Sequence, residues 1–351
     1  MNLLVLRYRF IGDTILTVPF LRNLRRAYPQ ARIDMMVAPY SSDVLIGTPY
    51  VDEFIVYDPP TIHADSGGRH RTFLSKVRFV ADLRKRRYDK AYVLKRSLSS
   101  AVIAFLSGAP ERIGFDTESR GFLLTKRVPY RKDRHEVQNF LEVLRADGVP
   151  IVDDHLEAWL SKDEIAFADG FLADRGHADG TRLVGIHPFT ADRNRAWHED
   201  DFIAVANALQ EKHGVRILLL GGKRDLDLAA GIGDRIRPGP ISAVGRTDLR
   251  QTMALLSRCS LLVCNDSGIM HLGAALDVPL VALFGPQTPD LFGPWGKRCT
   301  VLCKRFQCSP CKQKFFTECE PSPRGKPMCM EAITVDEVAG AASEMLSGKQ
   351  G

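Results

Sequence analysis

The chain has 351 residues, of which 45% are hydrophobic and 26% are charged. This composition is typical of a soluble globular protein, and the length favours two domains over one. No apolar run approaches the ~20 residues that a membrane-spanning helix needs, which argues against an integral membrane protein. Arg7 interrupts the apolar N-terminus too early for a signal peptide, so we expect a cytoplasmic protein.

Charge is unevenly distributed along the chain. Residues 1–150 carry 25 Lys and Arg against 16 Asp and Glu, a net +9, whereas residues 151–351 carry 23 against 26, a net −3. Such an excess of positive charge predicts an anionic partner for the first half, unless these side chains only solvate the surface. A phosphorylated sugar, an anionic lipid surface and nucleic acid would all fit.

Short apolar strands alternate with helical patterns in the first half. Strands are predicted at 2–7, 32–38, 53–58 and 90–95, and helices at 14–27, 73–88 and 136–148. Pro19 is expected to interrupt the first of these helices. The segment 59–71 is rich in Pro, Gly and His and is predicted to be a long loop.

The alternation restarts near residue 182. Strands are predicted at 182–188, 215–222, 260–266 and 278–285, and helices at 200–214, 225–236 and 333–346. Alternating strands and helices predict an α/β fold with two Rossmann-like domains facing across a cleft, each built on a parallel sheet. The predicted domains are 1–165 and 180–330, and we expect the C-terminal helix within 331–351 to pack back towards the first domain.

Polar residues follow the apolar strand in CNDSGIMHLGAAL (264–276). Asn265 or Asp266 can cap the helix that begins there, and Gly268 lets a ligand approach the backbone closely. Unpaired amides and the helix dipole favour a phosphate at this point, and His271, one turn further on, adds a donor. The alternative is a well-capped helix with a packed histidine.

Two further strand ends carry residues suited to a nucleotide. In HPFTADRNRAW (187–197), the Thr190 hydroxyl and the guanidinium groups of Arg193 and Arg195 suit a diphosphate, although the segment could be a polar surface loop with Trp197 packed under it. In LLLGGKRDLDLA (218–229), Asp225 can accept hydrogen bonds from ribose hydroxyls or simply cap a helix. Three such strand ends in one domain favour a nucleotide site.

A carboxylate follows the first strand in RYRFIGDTILTVP (7–19). Asp13 would lie at the carboxyl edge of the sheet, where it could accept the proton of an attacking hydroxyl. The alternative is again a helix cap.

These four motifs occur in an order that resembles glycosyltransferase family 9, the heptosyltransferases of lipopolysaccharide core assembly. The resemblance extends over roughly residues 2–346, and its most specific segment is NDSGIMHLGAAL followed by VPLVALFGP. It implies a GT-B fold and metal-independent inverting transfer without a catalytic cofactor. It also implies an ADP-heptose donor in the second domain and an anionic, lipid-linked saccharide acceptor for the first.

The resemblance assigns roles to individual residues. It makes Asp13 the general base, Asp225 the ribose ligand and Asp266 a contact of the donor sugar. The implied diphosphate site comprises Thr190, Arg195, Ser267 and Gly268, with His271 nearby. Arg195 stands where lysine is usual in the family, which keeps the charge but changes the donor geometry.

The basic first half supplies the acceptor candidates. Lys95, Arg96 and Arg120 follow strands or lie in a Gly-rich turn, so we expect them to contact the acceptor. The basic stretch 76–90 could rest on the anionic inner leaflet, although a solvated helix face explains most of its charges equally well.

Six of the eight cysteines lie within 299–329. The spacing of Cys308 and Cys311, with Cys319 and Cys329 beyond, predicts a structural zinc site. An iron–sulfur cluster and a set of reduced thiols are the alternatives. A related cysteine pattern occurs in many members of the family that the chain resembles, which favours a structural role over a catalytic one.

Two other functions compete with heptosyl transfer. A GT-B enzyme that uses another nucleotide sugar would have the same strand ends. A nucleic-acid-binding module would use the basic half and the CxxC pair, but the basic stretches lack interleaved aromatic residues and the strand-end motifs stay unexplained. We therefore expect no nucleic-acid partner.

Overall fold

The computed structural model describes residues 1–59, 68–178, 180–308, 311, 319 and 322–348. Most of the loop predicted at 59–71 lies outside the described residues. The chain forms two compact units, Met1–Leu156 and Glu157–Gly351. Among the described residues, no helix combines the length and apolarity that crossing a membrane requires.

The first unit is built on six parallel strands. These are β1 (Asn2–Leu6), β2 (Arg32–Val37), β3 (Glu53–Val56), β4 (Lys90–Val93), β5 (Glu111–Phe115) and β6 (Lys126–Val128). The helices are α1 (Ile11–Ile15), α2 (Val18–Ala27), α3 (Phe73–Lys85), α4 (Leu98–Leu106) and α5 (Glu136–Ala146). The strands lie in the order β3-β2-β1-β4-β5-β6.

The second unit repeats this plan, with six parallel strands in the order β12-β11-β10-β7-β8-β9. The strands are β7 (Leu183–His187), β8 (Arg216–Leu219), β9 (Ile241–Ser242), β10 (Leu261–Asn265), β11 (Leu280–Phe284) and β12 (Cys299–Cys303). The helices are α6 (Lys162–Ala173), α7 (Glu199–His213), α8 (Leu226–Gly233), α9 (Leu249–Ser257), α10 (Gly268–Ala275), α11 (Pro289–Phe292), α12 (Met328–Glu331) and α13 (Val335–Leu346).

Both sheets have the strand order of a Rossmann fold, which determines where ligands bind. The winding direction reverses between β1 and β4 in the first unit and between β7 and β10 in the second. At such a reversal the helices diverge and leave a crevice beyond the carboxyl ends of the two strands. Each unit therefore places one crevice at the ends of its two central strands.

The central strands are apolar throughout because both faces of each sheet are covered. In β1 the residues Leu3–Leu6 are fully buried, and in β10 every residue is buried. Trp197 is also fully buried; its indole packs against Phe202 with ring centroids 5.2 Å apart and donates to the carbonyl of Ile333 at 3.0 Å. This anchors the segment after β7 to the core.

The helix predicted at 14–27 is two helices in the structure. α1 ends at Ile15 and α2 begins at Val18, so the break falls just before Pro19, which occupies the first turn of α2. The Thr17 hydroxyl donates to the carbonyl of Thr14, a local bond that competes with the helical pattern. The expected break at Pro19 is thus observed, with two threonines assisting it.

The units divide at 156/157, ahead of α6, whereas the predicted domains were 1–165 and 180–330. Helix α6 packs against α9 of the second unit. The C-terminal helix α13 packs against α7 and β11 of that same unit. Its expected packing towards the first domain stays a prediction.

Candidate active site

Asp13 lies beyond the end of β1, paired with a cation that directly follows the same strand. It is the third residue of α1, whose N-cap is Phe10, so Asp13 is not the cap of this helix. The Arg7 Nη2 atom lies 2.8 Å from Asp13 Oδ2, and the Asp13 side chain is 18% exposed. A carboxylate held by a buried cation but open to solvent can accept a proton from a bound substrate.

A second carboxylate contacts the same cation. Glu136, the first residue of α5, is fully buried, and its Oε1 lies 3.6 Å from Arg7 Nη2. The Tyr130 hydroxyl donates to Glu136 Oε2 at 2.8 Å. Burial raises the pKa of Glu136, while Arg7 and Arg96 oppose the rise. Sequence reasoning missed Glu136, because an acidic residue at the start of a helix is ordinary.

Lys95 and Arg96 follow β4 and lie at the same crevice. The Lys95 Nζ lies 3.9 Å from the centroid of the Tyr8 ring, and the Arg96 guanidinium lies 3.9 Å from that of Tyr130. Burial, together with Arg9 and Arg7, lowers the pKa of Lys95 to about 8. Both predicted acceptor residues are therefore half-buried cations fixed on aromatic rings.

Arg120, the third acceptor candidate, is fully buried. Its guanidinium donates to the carbonyl of Phe115 at 3.0 Å, to that of Ser97 at 2.8 Å and to that of Lys95. Burial lowers the pKa of Arg120 to about 10. These bonds hold together the segments that follow β4 and β5, so the structure gives Arg120 the role of fixing Lys95. Its direct contact with an acceptor stays a prediction.

In the second unit, Asn265 joins the two central strand ends. Its Nδ2 donates to the carbonyl of Pro188 at 2.7 Å, and its Oδ1 accepts from the Trp197 amide at 3.1 Å. Asn265 is fully buried, and it does not cap α10. The expectation that Asn265 or Asp266 caps this helix was wrong, because the amide of Asn265 is committed to the β7 loop and Ser267 occupies the N-cap position.

Arg195 and Asp266 meet at this crevice. The Arg195 Nη1 lies 3.3 Å from Asp266 Oδ2, and its Nε lies 3.6 Å from Asp192 Oδ2. Burial raises the pKa of Asp266 to about 6, although Arg195 opposes the rise. The predicted cation is thus present, balanced by two carboxylates.

Helix α10 begins at Gly268, directly beside this pair. Its N-cap, Ser267, makes no side-chain capping hydrogen bond, and the Ser267 hydroxyl lies 3.3 Å from His187 Nδ1. Burial lowers the pKa of His187 to about 4, so its ring is neutral at physiological pH. His271 lies one turn into α10 and is buried. First-turn amides without a side-chain cap are suited to an anion.

Thr190 and Asp225 lie beyond the ends of β7 and β8. Asp225 Oδ2 accepts from the Gly222 amide at 2.7 Å, which fixes the turn into α8. A side chain at Gly221 would lie 2.6 Å from the Phe189 ring, so only glycine fits between these two segments. The turn therefore brings Asp225 close to the loop that carries Thr190.

All four cysteines of the predicted zinc site are among the described residues. Burial raises the pKa of the Cys329 thiol to about 12, and Cys319, Cys308 and Cys311 add to the rise. Within the part of the chain that the structure describes, no group of three or more His, Cys, Asp or Glu side chains is arranged to hold a metal ion. The zinc site stays a prediction.

Two Rossmann-like units, with nucleotide-suited strand ends in the second, are the architecture of glycosyltransferases of the GT-B class. The model of glycosyltransferase family 9 (heptosyltransferase) matches residues 76–319, more than half of the chain. The chain belongs to glycosyltransferase family 9.

Individual proteins agree with this assignment. The chain is similar to lipopolysaccharide heptosyltransferase 2 of Salmonella typhimurium, with 29% identity over 313 residues that cover 86% of this chain and 88% of that protein. A family 9 glycosyltransferase structure from Veillonella parvula has a TM-score of 0.86 and 26% identity, covering 99% and 98% of the two chains. The ADP-heptose heptosyltransferase II structure of Escherichia coli has a TM-score of 0.77 and 25% identity, covering 99% of each. The predicted GT-B fold class is confirmed.

Proposed function

We propose that this enzyme transfers a heptose from ADP-heptose to an inner-core saccharide of lipopolysaccharide, with inversion at the anomeric carbon. The names of its relatives supply the donor and the acceptor class. The observation that carries the proposal is the Asp13 carboxylate, open to solvent at the crevice of the first unit and held by Arg7 at 2.8 Å.

In the proposed reaction, an acceptor hydroxyl attacks the anomeric carbon from the face opposite the diphosphate. A new glycosidic C–O bond forms while the bond from the anomeric carbon to the diphosphate oxygen breaks, and ADP leaves. Asp13 takes the hydroxyl proton. No covalent enzyme intermediate is needed, because a single displacement inverts the centre.

The donor would bind at the crevice of the second unit. Arg195 and the first-turn amides of α10, from Gly268 onwards, would stabilise the charge that develops on the leaving diphosphate. The Thr190 hydroxyl would donate a hydrogen bond to the diphosphate, and the Asp225 carboxylate would accept hydrogen bonds from the ribose hydroxyls. Asp266, beside Arg195, would contact the donor sugar. A guanidinium can pair with two phosphate oxygens at once, where the lysine usual in the family acts as a point charge.

The acceptor would bind at the crevice of the first unit. Lys95 and Arg96 are half-buried cations, suited to the carboxylates and phosphates of an inner-core saccharide. Besides the predicted acceptor contact, Arg120 would support this site, since its bonds to the carbonyls of Lys95 and Ser97 hold the segment that carries Lys95 and Arg96.

Replacing Asp13→Asn tests the proposed base. We expect ADP binding to persist and turnover to fall by roughly 100-fold or more, because the amide cannot take the proton. The assay follows ADP release and product mass with ADP-heptose and a delipidated core acceptor. Asp133→Asn, an exposed aspartate of the same unit, is the matched control. Turnover of the Asp13 variant within a few-fold of wild type would contradict the role.

A ligand panel separates this function from its competitors. Thermal stabilisation by ADP but not by UDP supports the proposed donor, whereas preference for UDP indicates another nucleotide sugar. Stabilisation by a DNA oligomer alone would indicate a nucleic-acid-binding module.

We also propose that the enzyme contacts an anionic membrane through α3. Only Leu83 among the thirteen residues of this helix is buried. Phe73, Leu74 and Val77 are exposed by 83%, 56% and 45% at its N-terminal end. Four exposed cations flank them: Arg69, Arg71, Lys76 and Arg78. A helix end that combines exposed apolar side chains with cations is suited to the headgroup region of an anionic bilayer. These seven residues are called the α3 surface below.

We further propose that Cys308, Cys311, Cys319 and Cys329 hold a structural zinc ion. The support is their spacing in the sequence, a CxxC pair followed by two further cysteines. Elemental analysis of untagged protein tests this, and zinc below about a tenth of an equivalent would contradict it.

A further inference from the structure

Glu136 is a buried carboxylate for which the proposed reaction has no use. Its side chain is fully buried, and its Oε1 accepts no hydrogen bond from the described residues. Burying a carboxylate costs free energy unless cations and hydrogen bonds compensate it. An apolar residue would fill the same volume at lower cost, so the contacts of Glu136 indicate what the carboxylate does.

The contacts of Glu136 connect it to Asp13 through the Arg7 guanidinium. Arg7 Nη2 lies 2.8 Å from Asp13 Oδ2 and 3.6 Å from Glu136 Oε1, so Arg7 bridges the two carboxylates. The Arg7 guanidinium also lies 5.2 Å from the ring centroid of Phe140, on the same helix as Glu136. Helix α5 therefore holds the Arg7 guanidinium through the charge of Glu136 and through the ring of Phe140.

A second set of contacts fixes the Glu136 side chain itself. The Tyr130 hydroxyl donates to Glu136 Oε2 at 2.8 Å, and the Arg96 guanidinium lies over the Tyr130 ring at 3.9 Å. The charged and titratable groups that act on Glu136 are Arg7, Asp13, Arg96 and Tyr130. They come from the ends of β1 and β4, from α1 and from the segment after β6. The carboxylate thus lies where the elements of the first crevice converge.

We propose that Glu136 is a positioning residue for the reaction: it holds Arg7 in place and balances part of its charge, so that Arg7 keeps the Asp13 carboxylate oriented to accept the acceptor proton. The inference rests on the proposed role of Asp13. Without Glu136, Arg7 would lose one of the two carboxylates that fix its guanidinium. The second carboxylate thus holds the guanidinium from α5, and the guanidinium fixes Asp13. Glu136 itself exchanges no proton with substrate.

Glu136→Gln tests the inference, since it keeps the size of the side chain and removes its charge. We expect kcat to fall about tenfold, part of what a general base contributes, with the KM values for donor and acceptor within about twofold of wild type. Glu136→Asp, which restores the charge, should recover part of the lost kcat. Glu142→Gln, a partly exposed glutamate on the same helix that pairs with Arg134, is the matched control.

Stability separates positioning from a purely structural role. Because burial raises the pKa of Glu136 above its ordinary 4.5, its ionisation destabilises the fold as pH rises above that value. The Gln variant should therefore be as stable as wild type at pH 5 and at least as stable at pH 8, measured by urea unfolding and circular dichroism. Loss of stability with an unchanged kcat of the folded enzyme would mean a structural role and overturn the proposal.

The two proposals fail in different ways. If Asp13→Asn retains turnover, the proposed base is wrong and the role of Glu136 falls with it. If Asp13→Asn is inactive while Glu136→Gln has the kcat of wild type, only the positioning role is overturned. A rise in acceptor KM with unchanged kcat would instead place Glu136 in acceptor binding, which also contradicts positioning.

Discussion

The first crevice places two kinds of cation, arginine and lysine, near the Asp13 carboxylate. Arg7 is buried and paired with Asp13, whereas Lys95 lies over the Tyr8 ring beside two arginines. An arginine stays charged throughout the physiological range, but a lysine crowded by like charges can lose its proton. The pH response of acceptor binding should therefore arise mainly from Lys95.

We predict that the KM for an anionic acceptor rises as pH increases through about 8. Below that pH the Lys95 ammonium is charged, and above it the neutral amine no longer attracts the acceptor. Lys95→Arg should abolish this rise because the guanidinium keeps its charge. Steady-state kinetics between about pH 6.5 and 9.5 measure the KM for the acceptor in both proteins. An equal rise in the Arg variant would show that another group is responsible.

Residues that follow strands were predictable, and residues that support them were not. Asp13, Arg195 and Asp266 were selected because polar groups at the carboxyl ends of parallel strands face a ligand. The strand-end rule also applies to Arg7, which directly follows β1, but the pattern gave no reason to separate it from other surface arginines. Glu136 is distant in sequence, and only tertiary packing brings it to Arg7.

Helix ends contribute measurable stability in the second unit, as the start of α6 illustrates. The Ser161 hydroxyl accepts from the Glu164 amide, and the Glu164 carboxylate accepts from the Ser161 amide at 2.7 Å, a reciprocal capping box. The guanidinium of Arg250, on α9, donates to both oxygens of Glu164 at 2.7 Å. One carboxylate thus caps α6 and joins it to α9.

We predict that Glu164→Gln lowers the free energy of unfolding of the second unit by about 1–2 kcal/mol at pH 7. Arg250 and the capping bonds lower the pKa of Glu164 to about 2, below its ordinary 4.5. The stabilisation is therefore present above pH 4.5 and lost as pH falls towards 2, so the two proteins should converge in acid.

Tryptophan fluorescence reports this unfolding, since the chain has three tryptophans, Trp159, Trp197 and Trp295, and all belong to the second unit. Asp163→Asn, an exposed neighbour in the same turn, is the control and should change stability by less than about 0.5 kcal/mol. A constant difference between the Glu164 variant and wild type from pH 7 to pH 2.5 would contradict the assigned cause.

The elements that sequence reasoning identified are those with strong apolar runs. β1, β7, β10 and β11 are continuous hydrophobic segments and were predicted close to their observed limits. β6 has three residues, two of them exposed and basic, and β9 has two, so neither produces a periodic pattern. Their place in the sheet comes from pairing with a neighbouring strand, which sequence spacing does not encode.

At the scale of the whole molecule, part of the positive charge of the first half lies on the α3 surface and part at the first crevice. A lipid-linked acceptor carries its saccharide at a bilayer, so the enzyme would gain access to substrate by binding there. Each Lys or Arg near an anionic surface contributes about 1 kcal/mol, and exposed apolar side chains add burial in the headgroup region.

We predict that the protein sediments with vesicles containing phosphatidylglycerol and not with pure phosphatidylcholine vesicles. Removing three cations should weaken this binding roughly 100-fold, and replacing the three apolar residues should weaken it at all salt concentrations. The cation variant is Arg71→Gln, Lys76→Gln, Arg78→Gln. The apolar variant is Phe73→Ser, Leu74→Ser, Val77→Ser.

The matched control removes three exposed lysines elsewhere: Lys132→Gln, Lys162→Gln, Lys297→Gln. It should bind vesicles nearly as well as wild type. All variants should keep their turnover with a soluble acceptor, because the α3 surface has no part in the proposed chemistry. Equal loss of binding in the control would mean that net charge and not this surface directs the contact.

The pairing of Arg195 with Asp266 makes donor binding an exchange of partners. If the Arg195 guanidinium turns to the diphosphate, Asp266 loses its cation and stays buried beside a new anion. The pKa of Asp266, which is about 6 in the free enzyme, then rises further. Association with ADP should then draw a proton from solution near neutral pH. The measured heat of ADP binding would therefore depend on the ionisation enthalpy of the buffer, and the affinity of the enzyme for ADP would fall as the pH rises.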